Sequence, residues 1–401
     1  AQKENLQVGE VHEAPLGPDD EALNIFLVSF LWDVGFKVGH SVRSLEEALL
    51  LADKDDVILN SMLEGRLIAG DSLIFHAFGK QLNARLHAMG VKDFIRRKKR
   101  VRMLNYREYG EEVYHGEPNV KFTAGGLRDY HTGMWIAGAQ FNLRSLQECH
   151  AEGVLAEEQF LRLGKALDFM WRIRNQIHLD QKSPHDVLTL SRQEQIAAAF
   201  GYRPSRGALP VELFMQDYFA HANEIHKFYQ EMLRLGGLAP KERREPAAQP
   251  AGKVKRGLQT AHRRVFLPAG DAHWFQQNPA RLLEIFWYSQ KQGYMLSEQA
   301  LKAVKKNLEL VDDALRNSPV ARDYFLAILG DPLRAGHTVR QMSEIRLLDR
   351  YLPEFSSIRN LVRYDSFHQY PVHEHTLRAL ENLAVVPHLK EIGTDILKKI
   401  L

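Results

Sequence analysis

Cysteine is almost absent from the 401-residue sequence, which contains only Cys149. One thiol cannot form an intramolecular disulfide or supply a cysteine-rich zinc site. Long apolar runs are missing as well, since no stretch reaches the length that crosses a membrane, and residues 1–10 lack the charged and apolar regions of a signal peptide. We therefore expect a protein of a reducing compartment, by default cytoplasmic, that has no membrane partner.

An excess of charge of one sign is also missing. The sequence has 53 Lys and Arg residues against 50 Asp and Glu residues, which leaves a formal net charge of +3. This balance does not indicate strong attraction to nucleic acid, and we expect no nucleic-acid partner. With 45% hydrophobic residues the composition is that of a globular protein. The length allows roughly two to four domains.

Strand patterns are rare in this sequence. Residues 36–43 alternate apolar with polar side chains and are the one good strand candidate. Residues 1–20 are polar, contain two prolines and predict an irregular lead-in. Helical spacing of apolar residues dominates from residue 21 onward, including a predicted buried helix with an ion pair at 56–71. The fold class predicted from these patterns is mostly α, within the α+β class.

The densest group of residues suited to binding lies between Tyr114 and Trp135. A polar approach leads there into a glycine pair and then into a helix-like pattern. Paired glycines let backbone N–H groups approach a ligand, and a helix N-terminus favours negative charge, so a phosphate or a carboxylate could bind. The alternative is that the glycines form only a turn. The candidate residues are Glu117, Asn119, Lys121, Gly125, Gly126, Arg128 and Asp129.

Two further polar patterns allow more than one interpretation. The basic run at residues 95–102 is typical of a solvated helix face, although it could also create a positive field beside a phosphate site. Nucleic-acid binding is disfavoured because no aromatic residues interleave to stack bases. Arg174 and His178 lie four apart on one helix face, where a histidine is more often a satisfied core or rim residue than a ligand.

Residues 117–121 (E-P-N-V-K) and 125–132 (G-G-L-R-D-Y-H-T) resemble the bifunctional protein-PII uridylyltransferase/uridylyl-removing enzymes. The likeness extends in the same order from about residue 23 to about residue 383. It implies transfer of UMP from UTP to a tyrosine of the PII signal protein in nitrogen signalling, and hydrolytic removal of that UMP. It also implies Mg²⁺ as cofactor and glutamine as effector. Lys121, Gly125, Gly126, Arg128 and Asp129 would lie beside the nucleotide, with Glu117 and Asn119 supporting them.

The sequence departs from this family at both catalytic centres. No Gly-Ser turn with an Asp-x-Asp pair precedes Phe30, and two-metal phosphoryl transfer needs such carboxylates. His375 resembles the first metal ligand of an HD hydrolase, but no His-Asp pair follows it. The one such pair, His185-Asp186, lies far upstream and is not assigned to that role. We expect both metal sites to be absent from this chain, as in a fragment or a degenerated enzyme, and the chain alone to be inactive.

The resemblance also predicts the order of domains. Residues 1–95 would be the remainder of a nucleotidyltransferase domain and 96–236 a helical domain that carries the glycine motif. A linker rich in Pro, Ala, Gly and charge would occupy 237–270. A second helical segment would follow at 271–360, and the beginning of a truncated HD domain at 361–401. The alternative function is a non-catalytic helical regulatory module that binds PII or a nucleotide.

Overall fold

The computed structural model describes residues 5–12, 17–180, 185–205, 207–237, 257–268, 273–361 and 370–384. The chain divides into two compact units, Ala1–Lys241 and Glu242–Leu401. This division falls within the segment whose composition predicts a linker. Helices dominate both units, which confirms the prediction of a mostly α chain.

Unit 1 begins with a parallel pair of strands. The strand β1 (Asn5–His12) pairs along its whole length with β2 (Lys37–Ser44), and the helix α1 (Pro18–Asp33) connects them. The strand predicted at 36–43 is therefore confirmed. The irregular lead-in predicted for residues 1–20 is wrong, because β1 forms by hydrogen bonding to a partner some 30 residues away, which a local pattern does not reveal.

Four helices follow β2 and lead towards the glycine motif. The helix predicted over residues 56–71 is wrong in its second half, because α3 ends at Leu63. Gly70 has a backbone φ of +110°, which favours glycine, and Asp71 caps the next helix by accepting a hydrogen bond from the Leu73 N–H. The four helices are α2 (Leu45–Lys54), α3 (Asp56–Leu63), α4 (Ser72–Met89) and α5 (Val91–Tyr109).

The remaining helices of unit 1 pack around α10. Its apolar stripe, predicted to lie in the core, is buried at Phe214, Met215, Tyr218 and Phe219. The main neighbours of α10 are α6 and α8, so the glycine motif at the start of α6 lies against the centre of this unit. The helices are α6 (Leu127–Phe141), α7 (Leu146–Ala151), α8 (Glu157–Leu179), α9 (Leu190–Ala199) and α10 (Pro210–Leu235).

Unit 2 contains a small sheet that the sequence did not predict. The strands β3 (Gln259–Ala261) and β4 (Arg264–Phe266) are antiparallel, and β5 (Met295–Leu296) pairs with β4 in parallel. These strands are too short to show a recognisable alternation of apolar and polar residues. His262 and Arg263 both adopt positive φ in the β3–β4 turn, where Asn-Gly or Asp-Gly is the usual signal.

Nine α-helices in the described part of unit 2 surround a core that includes Leu283, Phe286 and Met342. The last of them, α19, packs closely on α16, since a Cβ added at Gly336 would come 2.5 Å from the Glu381 Cα. The helices are α11 (Trp274–Gln277), α12 (Arg281–Gln292), α13 (Glu298–Lys306), α14 (Asp313–Arg316), α15 (Pro319–Leu329), α16 (Ala335–Glu344), α17 (Leu347–Tyr351), α18 (Pro353–Ser357) and α19 (Val372–Asn382).

Candidate nucleotide site

The two glycines of the motif are required by close packing of the backbone. Gly125 has a φ of +79°, and a Cβ there would lie 2.5 Å from the carbonyl oxygen of Ala222 on α10. A Cβ at Gly126 would lie 2.7 Å from the carbonyl oxygen of Val120. Distances below 3 Å cannot be accommodated without a shift of the backbone. The glycine pair therefore fastens the turn that precedes α6 onto α10.

The backbone N–H groups at the start of α6 are bonded within the protein. The Gly126 N–H donates to the Thr123 carbonyl at 2.8 Å, and the Leu127 N–H donates to the Val120 carbonyl at 2.9 Å. The Arg128 N–H donates to a carbonyl of the same turn at 2.8 Å. An anion at this helix start must therefore be held by side chains. Contact of Gly125, Gly126 and Asp129 with a nucleotide stays a prediction.

Asp129 is fully buried and accepts four hydrogen bonds. Its Oδ1 accepts from the Arg102 Nε at 2.5 Å and from the Tyr106 hydroxyl at 2.7 Å. Its Oδ2 accepts from the Gly125 N–H at 2.7 Å and lies 2.9 Å from the His226 Nδ1. Burial acts to raise the pKa of Asp129, but the hydrogen bond from His226 and the charge of Arg102 outweigh it and lower this pKa. Asp129 thus joins α5, α6 and α10.

The basic run on α5 is partly internal. Arg102 is 1% exposed and also donates to the carbonyls of Phe122 and Thr123, which fixes the turn before α6. Lys98 is 3% exposed, and its Nζ lies 3.6 Å from the Asp56 Oδ1. Burial lowers the pKa of Lys98 to about 8. The interpretation as a wholly solvated face is therefore wrong, because two of the cations point into the fold.

Glu117 and Asn119 also have structural contacts. The Glu117 Oε1 accepts from the Leu190 N–H at 2.8 Å, at the start of α9. The Asn119 Oδ1 accepts from the N–H groups of Lys121 and Phe122 at 3.0 and 2.9 Å. These bonds shape the turn on which Lys121 lies, and a direct nucleotide contact of either residue stays a prediction.

Lys121 and Arg128 are the cations of the motif that remain available. The Lys121 Nζ lies 4.9 Å from the centre of the Phe122 ring, and the guanidinium carbon of Arg128 lies 5.7 Å from the same ring. Neither side chain makes a hydrogen bond or an ion pair with any described residue. Burial lowers the pKa of both groups, and the charge of Arg174 lowers each further. The charge of Glu64 acts on both cations and that of Asp186 on Lys121, but neither carboxylate forms an ion pair with Lys121 or Arg128.

Sequence reasoning missed two neighbours of this pair, Arg174 and His131. The Arg174 Nε donates to the Asp186 Oδ1 at 2.9 Å, and the His178 Nε2 lies 2.8 Å from the same oxygen. The prediction that His178 is a satisfied residue is therefore confirmed. His131 lies beside the Trp171 ring at 6.0 Å, and burial followed by the charge of Arg128 lowers its pKa to about 3. The four-residue spacing of Arg174 and His178 on one helix face was the feature of the sequence that could have located Arg174.

The predicted metal ligand His375 lies in an exposed position on α19. The buried neighbour His373 accepts a hydrogen bond from the Asn360 N–H at 3.0 Å. Within the described residues, no group of three His, Cys, Asp or Glu side chains is placed to hold a metal ion. A metal at His375 stays a prediction. In the described ranges, no helix combines the length and apolar character needed to cross a membrane.

Comparison with known families decides the relationship of this chain. The family model for the GlnD PII-uridylyltransferase matches residues 93–233, and the model for the uridylyltransferase GlnD third domain matches residues 261–351. The chain belongs to the PII-uridylyltransferase family. The first match contains Asp129 and all its hydrogen-bond partners, and it also contains Lys121, Arg128 and Arg174.

Curated relatives agree with this assignment. The chain is 31% identical over 366 residues to the bifunctional uridylyltransferase/uridylyl-removing enzyme of Ruegeria pomeroyi, which covers 90% of this chain and 40% of that relative. It is 34% identical over 355 residues to the enzyme of the same name from Methylococcus capsulatus, covering 88% of this chain and 40% of the relative. The chain thus spans about two fifths of the length of these relatives. No solved structure matches it.

Proposed function

We propose that this chain acts as the central part of a bifunctional PII uridylyltransferase/uridylyl-removing enzyme. In the complete enzyme, UMP would be transferred from UTP to a tyrosine of PII and later removed by hydrolysis, with glutamine as effector. Residues 1–95 would complete a nucleotidyltransferase domain, and 361–401 would begin an HD hydrolase domain. The family membership and the order of the two matched domains support this proposal.

One observation carries the nucleotide contact in this proposal. Lys121 and Arg128 both lie close to the Phe122 ring, and neither cationic group forms an ion pair or a hydrogen bond with a described residue. A triphosphate could supply such a partner, and a guanidinium can bind phosphate oxygens with two parallel bonds. The glycine pair and Asp129 would act as the scaffold that fixes both cations.

Mg²⁺ is proposed for the complete enzyme. Two carboxylates lie near the cationic pair, but both are engaged: Glu64 accepts from the Trp135 Nε1 at 2.9 Å, and Asp186 accepts from Arg174. The described residues hold no cluster of metal-binding side chains, so they do not provide a shell for this ion. We therefore propose that the magnesium ligands lie elsewhere in the complete enzyme, and we assign no step to the metal.

Substitution of Arg128 tests the nucleotide contact. In a polypeptide that carries this chain with the rest of the relatives' length, Arg128→Ala should abolish most UMP transfer from UTP to PII. Arg172→Ala is the matched control, since Arg172 lies on α8 with its guanidinium 4.7 Å from the Phe200 ring, away from the pair. The nucleotide contact is refuted if both variants transfer UMP at the rate of the unmodified protein.

The alternative, a silent regulatory module, makes a different prediction. This chain alone, incubated with UTP, Mg²⁺ and PII, would bind without modifying PII. Clear uridylylation by the chain alone would refute the silent module. Mass spectrometry of PII measures the outcome directly.

A further inference from the structure

One indole ring, that of Trp135 on α6, brings three polar side chains together. Its Nε1 donates to the Glu64 Oε1 at 2.9 Å. The guanidinium carbon of Arg128 lies 5.4 Å from the centre of the Trp135 ring, and the His131 ring lies 6.4 Å from it at an interplanar angle of 24°. Arg128, His131 and Trp135 follow one another three and four residues apart, so they share one face of α6. A ligand held by Arg128 therefore has Glu64 and His131 as its neighbours.

His131 has one enclosed nitrogen and one that reaches the surface. The residue is half-buried, and its Nδ1 is enclosed without a hydrogen-bond partner among the described residues, whereas its Nε2 is not enclosed. Burial lowers the pKa of His131 to about 3, so the ring is neutral near pH 7 and carries one proton. Buried N–H groups without an acceptor are rarer in proteins than buried acceptors without a donor. The proton therefore belongs on Nε2, and His131 offers a single N–H donor at the surface.

Glu64 offers the complementary group, a hydrogen-bond acceptor. It directly follows α3 and is exposed. Its Oε1 accepts from Trp135, while its Oε2 makes no hydrogen bond or ion pair with a described residue. The bond from the indole fixes the orientation of the carboxylate, so that Oε2 is available to a donor on a ligand. The donor of His131 and the acceptor of Glu64 are thus both positioned by the same tryptophan.

A donor beside an acceptor matches the edge of uracil but not the edge of cytosine. Uracil presents the O4 acceptor next to the N3–H donor, whereas cytosine presents its N4 amino group next to the N3 acceptor. On uracil, the His131 Nε2–H would donate to O4, and the Glu64 Oε2 would accept from N3–H. On cytosine, donor would face donor and acceptor would face acceptor. A site of this kind rejects the wrong base because polar groups on both sides lose their partners.

We propose that His131 and Glu64 select the base of the nucleotide, accepting uracil and rejecting cytosine through one donated and one accepted hydrogen bond. This inference rests on the proposed nucleotide contact of Arg128 and adds to it the two groups that distinguish UTP from CTP. Trp135 is the positioning residue, since it holds the Glu64 carboxylate and packs beside the His131 ring.

Isothermal titration calorimetry of this chain with UTP and CTP tests the inference. We expect UTP to bind at least about tenfold more tightly than CTP, since two hydrogen bonds are mismatched on cytosine. In Glu64→Gln the amide oxygen can keep the bond from Trp135, which turns the NH₂ group towards the base. A donor at this point matches the cytosine N3, so CTP should then bind at least as tightly as UTP. His131→Leu should reduce the preference for UTP to below about threefold, and His131→Gln, which restores an N–H donor, should retain part of it.

The matched controls are Glu194→Gln on α9 and His115→Leu, both at exposed positions, and each should keep the ratio of the two Kd values. Circular dichroism checks that every variant is folded, and the exposed Glu64 keeps the test valid if the His131 variants do not fold. Equal Kd values for UTP and CTP in the unmodified chain would overturn the inference, as would a preference that persists in both Glu64→Gln and His131→Leu. If neither nucleotide binds, the inference is also overturned. The proposed function is decided separately, by UMP transfer to PII in Arg128→Ala.

Discussion

Two partly buried arginines, one in each unit, have opposite surroundings. Arg340 on α16 donates to both oxygens of Glu374, at 3.0 Å each, and also to both oxygens of Glu381 on α19. The bonds to Glu381, and then those to Glu374, raise the pKa of Arg340. Arg128 in unit 1 forms no ion pair with a described residue, and burial lowers its pKa although the charge of Glu64 opposes this shift.

The difference separates a structural role from a binding role. Arg340 is neutralised by the helix it packs against, so its charge holds α19 on α16. Arg128 forms no ion pair with a described residue, and the stability of its surroundings comes from another arginine, Arg102, which is paired with Asp129. Charge that a fold orients but does not neutralise is available to a ligand.

Loss of Asp129 should have the largest effect on stability. Asp129→Ala leaves the Arg102 guanidinium buried without its counter-charge, and breaking one side of a buried pair costs about 3–5 kcal/mol of unfolding free energy. Urea unfolding, followed by tryptophan fluorescence, measures the shift in the midpoint. Asp180→Ala, at an exposed site at the end of α8, serves as the control and should shift it little. An unchanged midpoint for Asp129→Ala would show that Asp129 is not the anchor of unit 1.

Loss of Arg340 should have the next largest effect. Arg340→Met leaves Glu374, which is 5% exposed, with Arg378 as its remaining cation, and we expect a loss of about 3 kcal/mol. Arg322→Met is the control, because Arg322 is 66% exposed and its pair with Asp323 lies in solvent. Protection of α19 against hydrogen exchange should fall in Arg340→Met only. Equal protection in both variants would contradict the role of Arg340 as the link between α16 and α19.

The position of the glycine motif could be predicted from the sequence, but the contacts that hold it in the fold could not. Gly125 and Gly126 were recognisable as a turn before a helix, and the stripe on α10 was recognisable as core. The partner of the turn was not, because the Cβ clash at Gly125 is with Ala222, almost 100 residues away. The role of Asp129 was hidden for the same reason, since its bonds to Arg102 and His226 join three helices.

The strands illustrate the same limit of prediction from local sequence. Residues 36–43 alternate in polarity, so β2 could be predicted, whereas β1 depends on pairing with β2 and has no strong pattern of its own. The turn at His262 and Arg263 uses residues that carry no turn signal. Local pattern predicts elements that are stabilised locally, and it fails where a distant partner supplies the bonds.

Acid should weaken unit 1 through His131, with a smaller effect. The pKa of His131 is about 3 in the folded chain and about 6.5 in an unfolded chain, so the unfolded state takes up the proton first as the pH falls. The stability that neutral His131 contributes is therefore fully present above pH 6.5 and is lost as the pH falls towards 3. Over this range the free energy of unfolding falls by up to about 1.4 kcal/mol per pH unit. His131→Leu should flatten this slope in urea unfolding between pH 6.5 and 5, whereas His115→Leu, at an exposed position, should keep it. An identical slope in His131→Leu and the unmodified chain would contradict this.

Replacing Arg128 should have the smallest effect on stability, and this sharpens the contrast with Arg340. Arg128→Met removes a desolvated charge that forms no ion pair with a described residue, so the unfolding free energy should change by less than about 0.5 kcal/mol or rise slightly. The Tm of Arg128→Met should differ clearly from that of the unmodified chain only when a ligand is present. Because a ligand that binds the folded state raises the Tm, millimolar UTP should raise the Tm of the unmodified chain and of Arg340→Met, but not that of Arg128→Met. If Arg128→Met instead loses as much stability as Arg340→Met, Arg128 is a structural residue and the two arginines do not differ in role.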